Sequence, residues 1–430
     1  MDITDGSNGP VSRSLSPENP TARQAPASQP QQDTVSVRVE EGSDVYRPGG
    51  FHPVYIGDVY NTRYKVLNKI GYGTYSTVWI VEDLQGGSGG RREFLALKVL
   101  SAECYGTEHD VFEREILKRL RDGDQTEPGY EYIAHLVDDF EHEGPNGNHI
   151  CLVFQLCGET LRTFGALFPD SMIPNSIMRR FAIMLICAVE LAHDQGVIHT
   201  DIQPNNILVK VADYSLIESK YLKETPVPHQ NRDEEHYTVI PSTSLRNSYF
   251  DLNTFDGMFE VALADWGVSS WVDKHLTENI QPVALRSPEV LIKAPWGVET
   301  DFWNLGAVLL EVFRAVRMFS GQVPPDGRYD LKQHLAEIVD LLGPFPAALL
   351  KQGDQELVQR IFDDEGRIKN MPPMDRPGLN TDTWMPGLDP EVREGFLDVL
   401  RGLMKINPAD RMSATDLLKL PWLGYLLPDD

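Results

Sequence analysis

Between residues 63 and 100 the apolar residues come in short runs bounded by turn residues, a pattern typical of antiparallel strands. Three such runs are YKVLNKI, TVWIVEDL and EFLALKVL, separated by a glycine-rich turn and by GGSGG. Phe112, Ile116 and Leu120 then recur at helical spacing, and two more strand-like runs, AHLVDDF and ICLVFQL, follow. The pattern predicts a small lobe over residues 45–157, built from an antiparallel sheet and one main helix.

Beyond Gly158 the apolar positions recur at helical spacing instead. The longest such stretch, SIMRRFAIMLICAVELAHDQG, ends at Gly196, a residue type that commonly terminates helices. Further helices are predicted for WNLGAVLLEVFRAV, KQHLAEIVDLL, EVREGFLDVLRGLMK and SATDLLKLPWL. These elements predict a larger, mostly α-helical lobe over residues 158–428. The fold class expected for the chain is therefore α+β, with two lobes.

Two segments show neither the strand pattern nor the helical spacing of apolar residues. Residues 1–44 are rich in Ser, Pro, Gln and Thr and have almost no aromatic residues, so we predict a disordered N-terminal tail. Residues 211–260 are mostly polar, and a connection of this length inside a compact lobe is usually an insertion. We expect this insertion within the helical lobe to be either functional or disordered.

Charge narrows the choice of partners. The 430 residues carry 39 basic and 64 acidic side chains, a net charge of −25. Such an acidic surface repels phosphate backbones and anionic lipids, so we expect no direct binding of nucleic acid or membranes. A basic protein or peptide would be attracted, although the charge could also serve only solubility.

Cysteine content and the chain start indicate a compartment. Four scattered cysteines are too few for a disulfide framework or a zinc site. The start MDITDGSNGPVSRS shows no signal-peptide pattern, and we expect no apolar run to span a bilayer. A reducing compartment, cytosol or nucleus, is the expectation.

The first candidate chemistry lies in the small lobe. Gly71 to Val78 reads GYGTYSTV between two predicted strands, where glycines allow close approach to a phosphate; alone it is equally compatible with a plain hairpin turn. Lys98 ends an apolar strand and by itself would be taken for a surface residue. Downstream of the glycine loop, however, it is placed to hold nucleotide phosphates, with Glu115 fixing its ammonium.

A stronger signal follows the long helix, in HTDIQPNNIL. Asp201 and Asn206 have the H-x-D-x-x-x-x-N spacing, in which the aspartate takes a substrate hydroxyl proton and the asparagine holds magnesium. Asp265, in DWG, supplies the other metal ligand, while His199 is expected to be a packed structural residue. Ser287-Pro288-Glu289, Asp301 and Arg411 follow in order, and we predict a buried Glu289–Arg411 pair.

From about Tyr64 to Leu423 these motifs resemble the eukaryotic protein kinases, and within them the SR-protein kinases of the group that includes cyclin-dependent, MAP and CDC-like kinases. The resemblance is carried by GGFHPVYIGDVYNTRYKVLNKIGYGTYSTVWIV (49–81), HTDIQPNNIL, LTENIQPVALRSPEVLI and LLGPFPAALLKQG (341–353). That family also interrupts its catalytic domain with a spacer. The present insertion lies between Asn206 and Asp265, and we do not equate the two without an alignment.

The resemblance implies a two-lobed kinase fold and ATP-dependent phosphorylation of serines in basic, Arg/Ser-rich splicing factors, by a monomer in cytoplasm and nucleus. It implies that Asp201 is catalytic and that Asn206 and Asp265 hold Mg²⁺. The residues that it implies for ATP binding are Ile70, Gly71, Tyr72, Gly73, Thr74, Tyr75, Ser76, Thr77, Val78, Ala96, Lys98, Glu115, Phe154, Gln155 and Cys157.

Several positions depart from the family pattern. Gln203 stands where kinases usually carry a lysine, and Trp266 replaces a phenylalanine. Thr200 replaces an arginine that helps to bind an activating phosphate, so we predict constitutive activity. The stretch PPDGRYDLKQHL (324–335), where a substrate-docking groove would be sought, is only modestly acidic, with Asp326 and Asp330 against Arg328 and Lys332.

Two other functions stay open. A catalytically weak pseudokinase could act as a scaffold for basic partners, although such scaffolds usually lack at least one of the motif residues that are all present here. A small-molecule kinase of the aminoglycoside-phosphotransferase kind shares H-x-D-x-x-x-x-N. It is disfavoured by Ser287-Pro288-Glu289, Asp301 and Arg411, which are typical of kinases with peptide substrates.

Overall fold

The computed structural model describes residues 40–86, 92–105, 111–232, 237–246, 248–251, 257–323, 327–372, 374 and 376–424. From Glu40 onward the chain forms one compact unit. Most of the predicted tail, residues 1–39, lies outside the described residues, as does Asp326. Residues 40–44 are described and contact the small lobe, so for them the structure differs from the predicted disorder.

The small lobe is a six-stranded antiparallel sheet in the order β1-β2-β3-β4-β6-β5. Its strands are β1 Val59–Tyr60, β2 Tyr64–Tyr72, β3 Ser76–Asp83, β4 Glu93–Leu100, β5 Leu136–Gly144 and β6 Gly147–Gln155. Helix α1, Glu113–Arg121, packs its apolar stripe of Ile116, Leu117 and Leu120 into the core beside the sheet. Three basic side chains in its last turn complement the negative end of the helix dipole.

The larger lobe is mostly helical, which confirms the expected two-lobed α+β architecture. Its helices are α2 Leu161–Phe164, α3 Asn175–Asp194, α4 Leu222–Glu224, α5 Pro288–Leu291, α6 Glu299–Arg314, α7 Leu331–Leu342, α8 Ala347–Leu350, α9 Gln355–Ile361, α10 Pro390–Leu403, α11 Ala414–Leu417 and α12 Pro421–Gly424. Short strands complete it: β7 Cys157–Thr160, β8 Val197–Ile198, β9 Ile207–Lys210, β10 Val261–Leu263, β11 Ser270–Trp271, β12 Gln322–Val323 and β13 Arg328–Tyr329.

Helix α3 is the central helix of the larger lobe. By length and composition alone, the helical stretch Pro169–Asp194 that contains it would be long and apolar enough to cross a membrane, contrary to the expectation from sequence. Its apolar side chains are instead buried against α6 and the neighbouring strands, including Phe181, Leu185 and Val189. A buried apolar helix of this kind is the core of the lobe.

The predicted pair of Glu289 and Arg411 is confirmed and joins α5 to the loop after α10. Both side chains are fully buried, and the guanidinium donates two hydrogen bonds of 2.7 Å to the carboxylate. Arg411 also donates to the backbone carbonyls of Lys405 and Glu299. A buried charge is tolerated only when it is paired and hydrogen-bonded. This contact therefore fixes the end of the activation segment, residues 265–289, to the helices.

The described part of the insertion is ordered and reaches the small lobe. After a π-helical turn, Ile217–Tyr221, and α4, it runs in irregular conformation along the outer face of the sheet. Gln230 accepts a hydrogen bond from the backbone of Ile56, and Ile240 enters an apolar cluster with Trp79. The described residues of the insertion therefore form an ordered segment that covers the sheet.

Candidate active site

Lys98 of β4 lies between two carboxylates. Its Nζ is 2.6 Å from Oε1 of Glu113, on α1, and 3.0 Å from Oδ1 of Asp265. Burial alone would lower the pKa of the Lys98 ammonium, but the two carboxylates raise it above its ordinary value. The ammonium in turn lowers the pKa of Asp265, so that this carboxylate is ionised at neutral pH.

The partner predicted for Lys98, Glu115, is wrong. Residues two apart on a helix are separated by about 200° around its axis, so Glu113 and Glu115 face opposite sides of α1. Glu113 is buried toward the sheet, whereas Glu115 is exposed and accepts a hydrogen bond from Tyr105. The sequence held a signal for this: residue 113 is three positions before Ile116, in the inward stripe of the helix.

Asp301 of α6 holds the catalytic loop, residues 199–208, through the backbone of the loop. Its buried carboxylate accepts hydrogen bonds from the backbone N–H groups of His199 and Thr200, at 2.8 and 2.9 Å. Thr200 has a positive φ of 65°, a conformation that non-glycine residues adopt only when their surroundings impose it. His199 is buried with Nε2 3.0 Å from the Ala264 carbonyl, consistent with the packed structural role expected for it.

Asp201 receives two amide donors on one oxygen. The side-chain amides of Gln203 and Asn206 donate to its Oδ2 at 2.8 and 2.7 Å. Its Oδ1 has no hydrogen-bond partner among the described residues, so that oxygen is available to a substrate hydroxyl. Burial raises the pKa of Asp201, which makes it a better proton acceptor than an exposed aspartate.

Antiparallel pairing of β9 with β10 brings the two predicted metal ligands together. Leu263 lies opposite Ile207, and the Asn206 carbonyl accepts the Ala264 N–H at 2.8 Å, one residue before Asp265. Asn206 uses its amide nitrogen on Asp201, which leaves its amide oxygen for a cation. An amide oxygen and an ionised carboxylate are the oxygen ligands that Mg²⁺ prefers, so these residues fit the predicted metal.

The glycine-rich loop is the hairpin between β2 and β3. Gly73 N–H donates to the Ser76 carbonyl at 2.8 Å, and Thr74 and Tyr75 are exposed at the tip. Val78, the last residue of the loop, lies opposite Lys98 in the sheet, so the loop ends on the strand that pairs with β4 at this lysine. The remaining predicted nucleotide residues lie on the same elements, Ile70, Gly71, Tyr72, Ser76 and Thr77 on the hairpin, Ala96 on β4, and Phe154, Gln155 and Cys157 at the junction of β6 and β7. Their contacts with ATP stay predictions.

Sequence reasoning missed two residues of this cleft. Leu208 and Ala264 form a small apolar cluster with Phe154, where the larger lobe meets the end of β6. The signal was the apolar residues flanking each polar motif, Leu208 after Asn206 and Ala264 before Asp265. An apolar floor of this kind suits the flat face of a nucleotide base.

The activation segment is held by backbone contacts. Thr200 donates its hydroxyl to the Val268 carbonyl at 2.8 Å, and β11 pairs with β8 just before the catalytic loop. Trp266 is buried with its ring 4.6 Å from that of His199. Thr200 thus ties the segment to the catalytic loop directly, without a charged partner.

The pairing of Lys98 with a helix glutamate is typical of ATP-dependent phosphotransferases with two lobes. The proton-accepting role predicted for Asp201 and the metal-ligand roles predicted for Asn206 and Asp265 belong to the same class. The family model described as "Protein kinase domain" matches residues 64–238 and 245–423, and the chain belongs to that family. It is a serine/threonine protein kinase.

Its curated relatives include three over most of the chain. Protein kinase dsk1 of Schizosaccharomyces pombe is 28% identical, covering 89% of this chain and 85% of its own length. Serine/threonine-protein kinase SRPK of Physarum polycephalum is 27% identical, covering 90% and 92%. SRSF protein kinase 3 of Mus musculus is 25% identical, covering 90% of each chain. The expected likeness to SR-protein kinases is confirmed.

Proposed function

We propose that this chain transfers the γ-phosphate of ATP to serine hydroxyls of basic, Arg/Ser-rich proteins and thereby regulates mRNA splicing. The observation that carries the proposal is the arrangement of Asp201, Lys98 and Asp265, with Glu113 already paired to the lysine. Asp201 accepts the serine proton through Oδ1 while the hydroxyl oxygen attacks the γ-phosphorus. The bond from the γ-phosphorus to the β–γ bridging oxygen breaks, and ADP leaves.

Positioning supplies the rest of the catalysis. The Lys98 ammonium binds the α- and β-phosphates, and the backbone amides of the glycine-rich loop cover them. Asn206 and Asp265 would hold Mg²⁺, and this ion would neutralise charge on the phosphate oxygens. Asp301 keeps Asp201 in place through the backbone of the loop.

Charge supports the choice of substrate. A net charge of −25 attracts cationic proteins over distances longer than a contact and repels nucleic acid. The name of the mouse relative, SRSF protein kinase 3, points to the same substrate class. In the stretch expected to bind substrate, Asp330 is the one acidic residue that the structure describes, and it caps α7 by accepting a hydrogen bond from the Gln333 N–H. The argument for a cationic substrate therefore rests on the net negative charge of the whole molecule.

The kinase works as a monomer in the cytoplasm and the nucleus. All four cysteines are free thiols, with Cys104 and Cys151 buried, which suits a reducing compartment. No direct contact with nucleic acid or membrane is part of the proposal.

The test is a transfer assay with MgATP on an Arg/Ser-repeat peptide, compared with a generic basic protein. Asp201→Asn should lose at least about a hundredfold in kcat while keeping ATP affinity, because the lost group acts on the hydroxyl. Asp364→Asn, at an exposed position, is the matched control and should be unaffected. Wild-type turnover by Asp201→Asn would refute the catalytic assignment.

A scaffold for basic partners is the second candidate, and Gln203 favours it. A neutral amide in place of a cation removes charge stabilisation from the transferring phosphate. Binding of the Arg/Ser peptide without any phosphate incorporation by the wild-type protein would establish this candidate instead.

A further inference from the structure

Two irregular segments far apart in sequence bind each other on the outer face of the small-lobe sheet. The Ser242 N–H and hydroxyl donate to the two carboxylate oxygens of Glu40, at 2.7 and 2.9 Å. The rings of Tyr46 and Tyr237 lie 4.3 Å apart. The start of the described chain and the insertion therefore form one layer over β2.

Lys69 is the point at which this layer holds the sheet. Its Nζ contacts Oε2 of Glu41 at 2.5 Å, Oε2 of Glu40 at 3.0 Å and the carbonyl of Ile240 at 3.2 Å. The Lys69 side chain is 1% exposed. Its backbone carbonyl also accepts the Thr243 N–H at 2.9 Å. A buried ammonium requires such partners. The start of the described chain supplies the two carboxylates and the insertion supplies the Ile240 carbonyl, so both segments bind Lys69.

Lys69 stands two residues before the first glycine of the glycine-rich loop. Register shifts in the pairing of β2 with β3 lie between Val66 and Asn68 and between Lys69 and Gly71. Such irregularities re-aim side chains and bend the strand. The Lys69 ammonium lies 5.2 Å from the ring centroid of Tyr72, a residue of the loop itself. Contacts that fix Lys69 on the outer face of the sheet therefore restrain the end of β2, the arm of the hairpin that leads into the glycine-rich loop.

We propose that Lys69 is a positioning residue for the glycine-rich loop, held by Glu40, Glu41 and the backbone of the insertion. The inference rests on the proposed function, because it assigns the loop to the ATP phosphates. A loop arm that samples many positions must be ordered when the nucleotide binds, and this cost weakens affinity. Held at Lys69, the arm is ordered beforehand. Loss of the contact should thus appear in nucleotide affinity more than in the chemical step.

The experiment compares full-length variants by direct titration with MgATP and by steady-state kinetics. Lys69→Met keeps the side-chain length and removes the charge; it should raise the Kd and KM for ATP about tenfold and leave kcat within about twofold. Lys69→Arg, which keeps charge and donors, should restore the affinity. Lys65→Met, at an exposed position of the same strand, is the matched control and should bind ATP like the wild type.

Glu41→Gln covers the case in which Lys69→Met does not fold. Glu40 still pairs with the ammonium in this variant, so folding is retained, and the ATP Kd should rise about threefold. An unchanged ATP Kd in a folded Lys69→Met or Glu41→Gln protein overturns the proposal, as does an equal loss in Lys65→Met. Because the titration needs no turnover, a wild type that binds ATP without phosphorylating peptide would refute the proposed function alone. A wild type that does not bind ATP would overturn both.

Discussion

The carboxylate of Asp201 is held by two neutral amides and, among the described residues, by no cation. The Gln203 amide donates to the same oxygen as Asn206, which orients the carboxylate but adds no positive charge to the site. The two amides keep the Asp201 carboxylate oriented, but the positive charge that a lysine at position 203 would supply is missing.

Gln203→Lys should therefore raise activity. An ammonium here would approach both Asp201 and the transferring phosphate, and we expect kcat to rise about tenfold. A positive neighbour also favours the ionised form of Asp201, whose pKa burial raises, so the acid limb of the kcat profile should move to lower pH. Steady-state kinetics across pH measures both.

The control is Gln352→Lys, which adds the same charge at an exposed site. Its kcat and pH profile should match those of the wild type. A fall in kcat for Gln203→Lys would mean that the amide, and not a cation, is what this site requires.

At the scale of elements, helix α1 presents two glutamates to opposite surroundings. Glu113→Gln should lower kcat/KM on the order of a hundredfold. Lys98 loses a charged partner, and even a small displacement of its ammonium would misplace the ATP phosphates. Glu115→Gln, two positions on and exposed, should leave kcat/KM unchanged. The reverse order of effects in the transfer assay would show that α1 turns when nucleotide binds.

The activation segment is an element that is ordered by its own backbone and hydroxyl contacts. Ser269 and Ser270 are buried, with the Ser269 hydroxyl donating to the His199 carbonyl at 3.1 Å, while Thr277 is exposed. We therefore expect constitutive activity. Protein made without any upstream kinase and treated with phosphatase should phosphorylate peptide at the full rate, measured by initial velocity.

Thr277→Ala provides the control for that experiment, since it removes the exposed hydroxyl of the three. Its rate should equal that of the wild type before and after phosphatase. Activity that disappears with phosphatase and returns on phosphorylation of Ser269, Ser270 or Thr277 would contradict the prediction, with Lys274 or Arg286 as the basic partner of the phosphate.

At the scale of the whole molecule, we expect buried histidines to lower the stability in acid. Burial, with smaller effects from His142 and His149, lowers the pKa of His52 to about 3, and burial lowers that of His334 to about 4. The unfolded chain binds protons at these sites near pH 6.5, where the folded protein does not. Stability is thus complete above pH 6.5 and is lost as the pH falls, by about 2 kcal/mol per histidine between pH 6.5 and 5.

Denaturant unfolding at pH 7 and pH 5 measures this loss. His52→Phe, which keeps a ring beside Tyr60, should reduce the difference between the two pH values by about 2 kcal/mol. His229→Phe, at an exposed position, should leave it as in the wild type. An unchanged difference in His52→Phe would show that carboxylates alone produce the acid instability.

Local pattern was sufficient for the elements and for the proximity of Asp201, Asn206 and Asp265. The period of the apolar residues predicted the sheet strands, α1 and the long helix α3, because neighbours in sequence encode which face is buried. Motif spacing placed Asp201, Asn206 and Asp265, since short loops between paired strands leave few geometries. The Glu289–Arg411 pair also followed from sequence, through the resemblance to kinases.

Contacts between distant residues needed the tertiary structure. Glu113 and Glu115 are both plausible partners of a lysine in sequence, and only the orientation of α1 against β4 selects one. The insertion and residues 40–46 lack any period, because their burial comes from the outer face of a sheet formed elsewhere. From sequence, Lys69 would be expected to be exposed, because it is a charged residue in a strand. In the structure it is buried, because two carboxylates from another segment neutralise its charge. The period of the apolar residues indicates which face of an element is buried. It does not indicate which segment, distant in sequence, packs against that face.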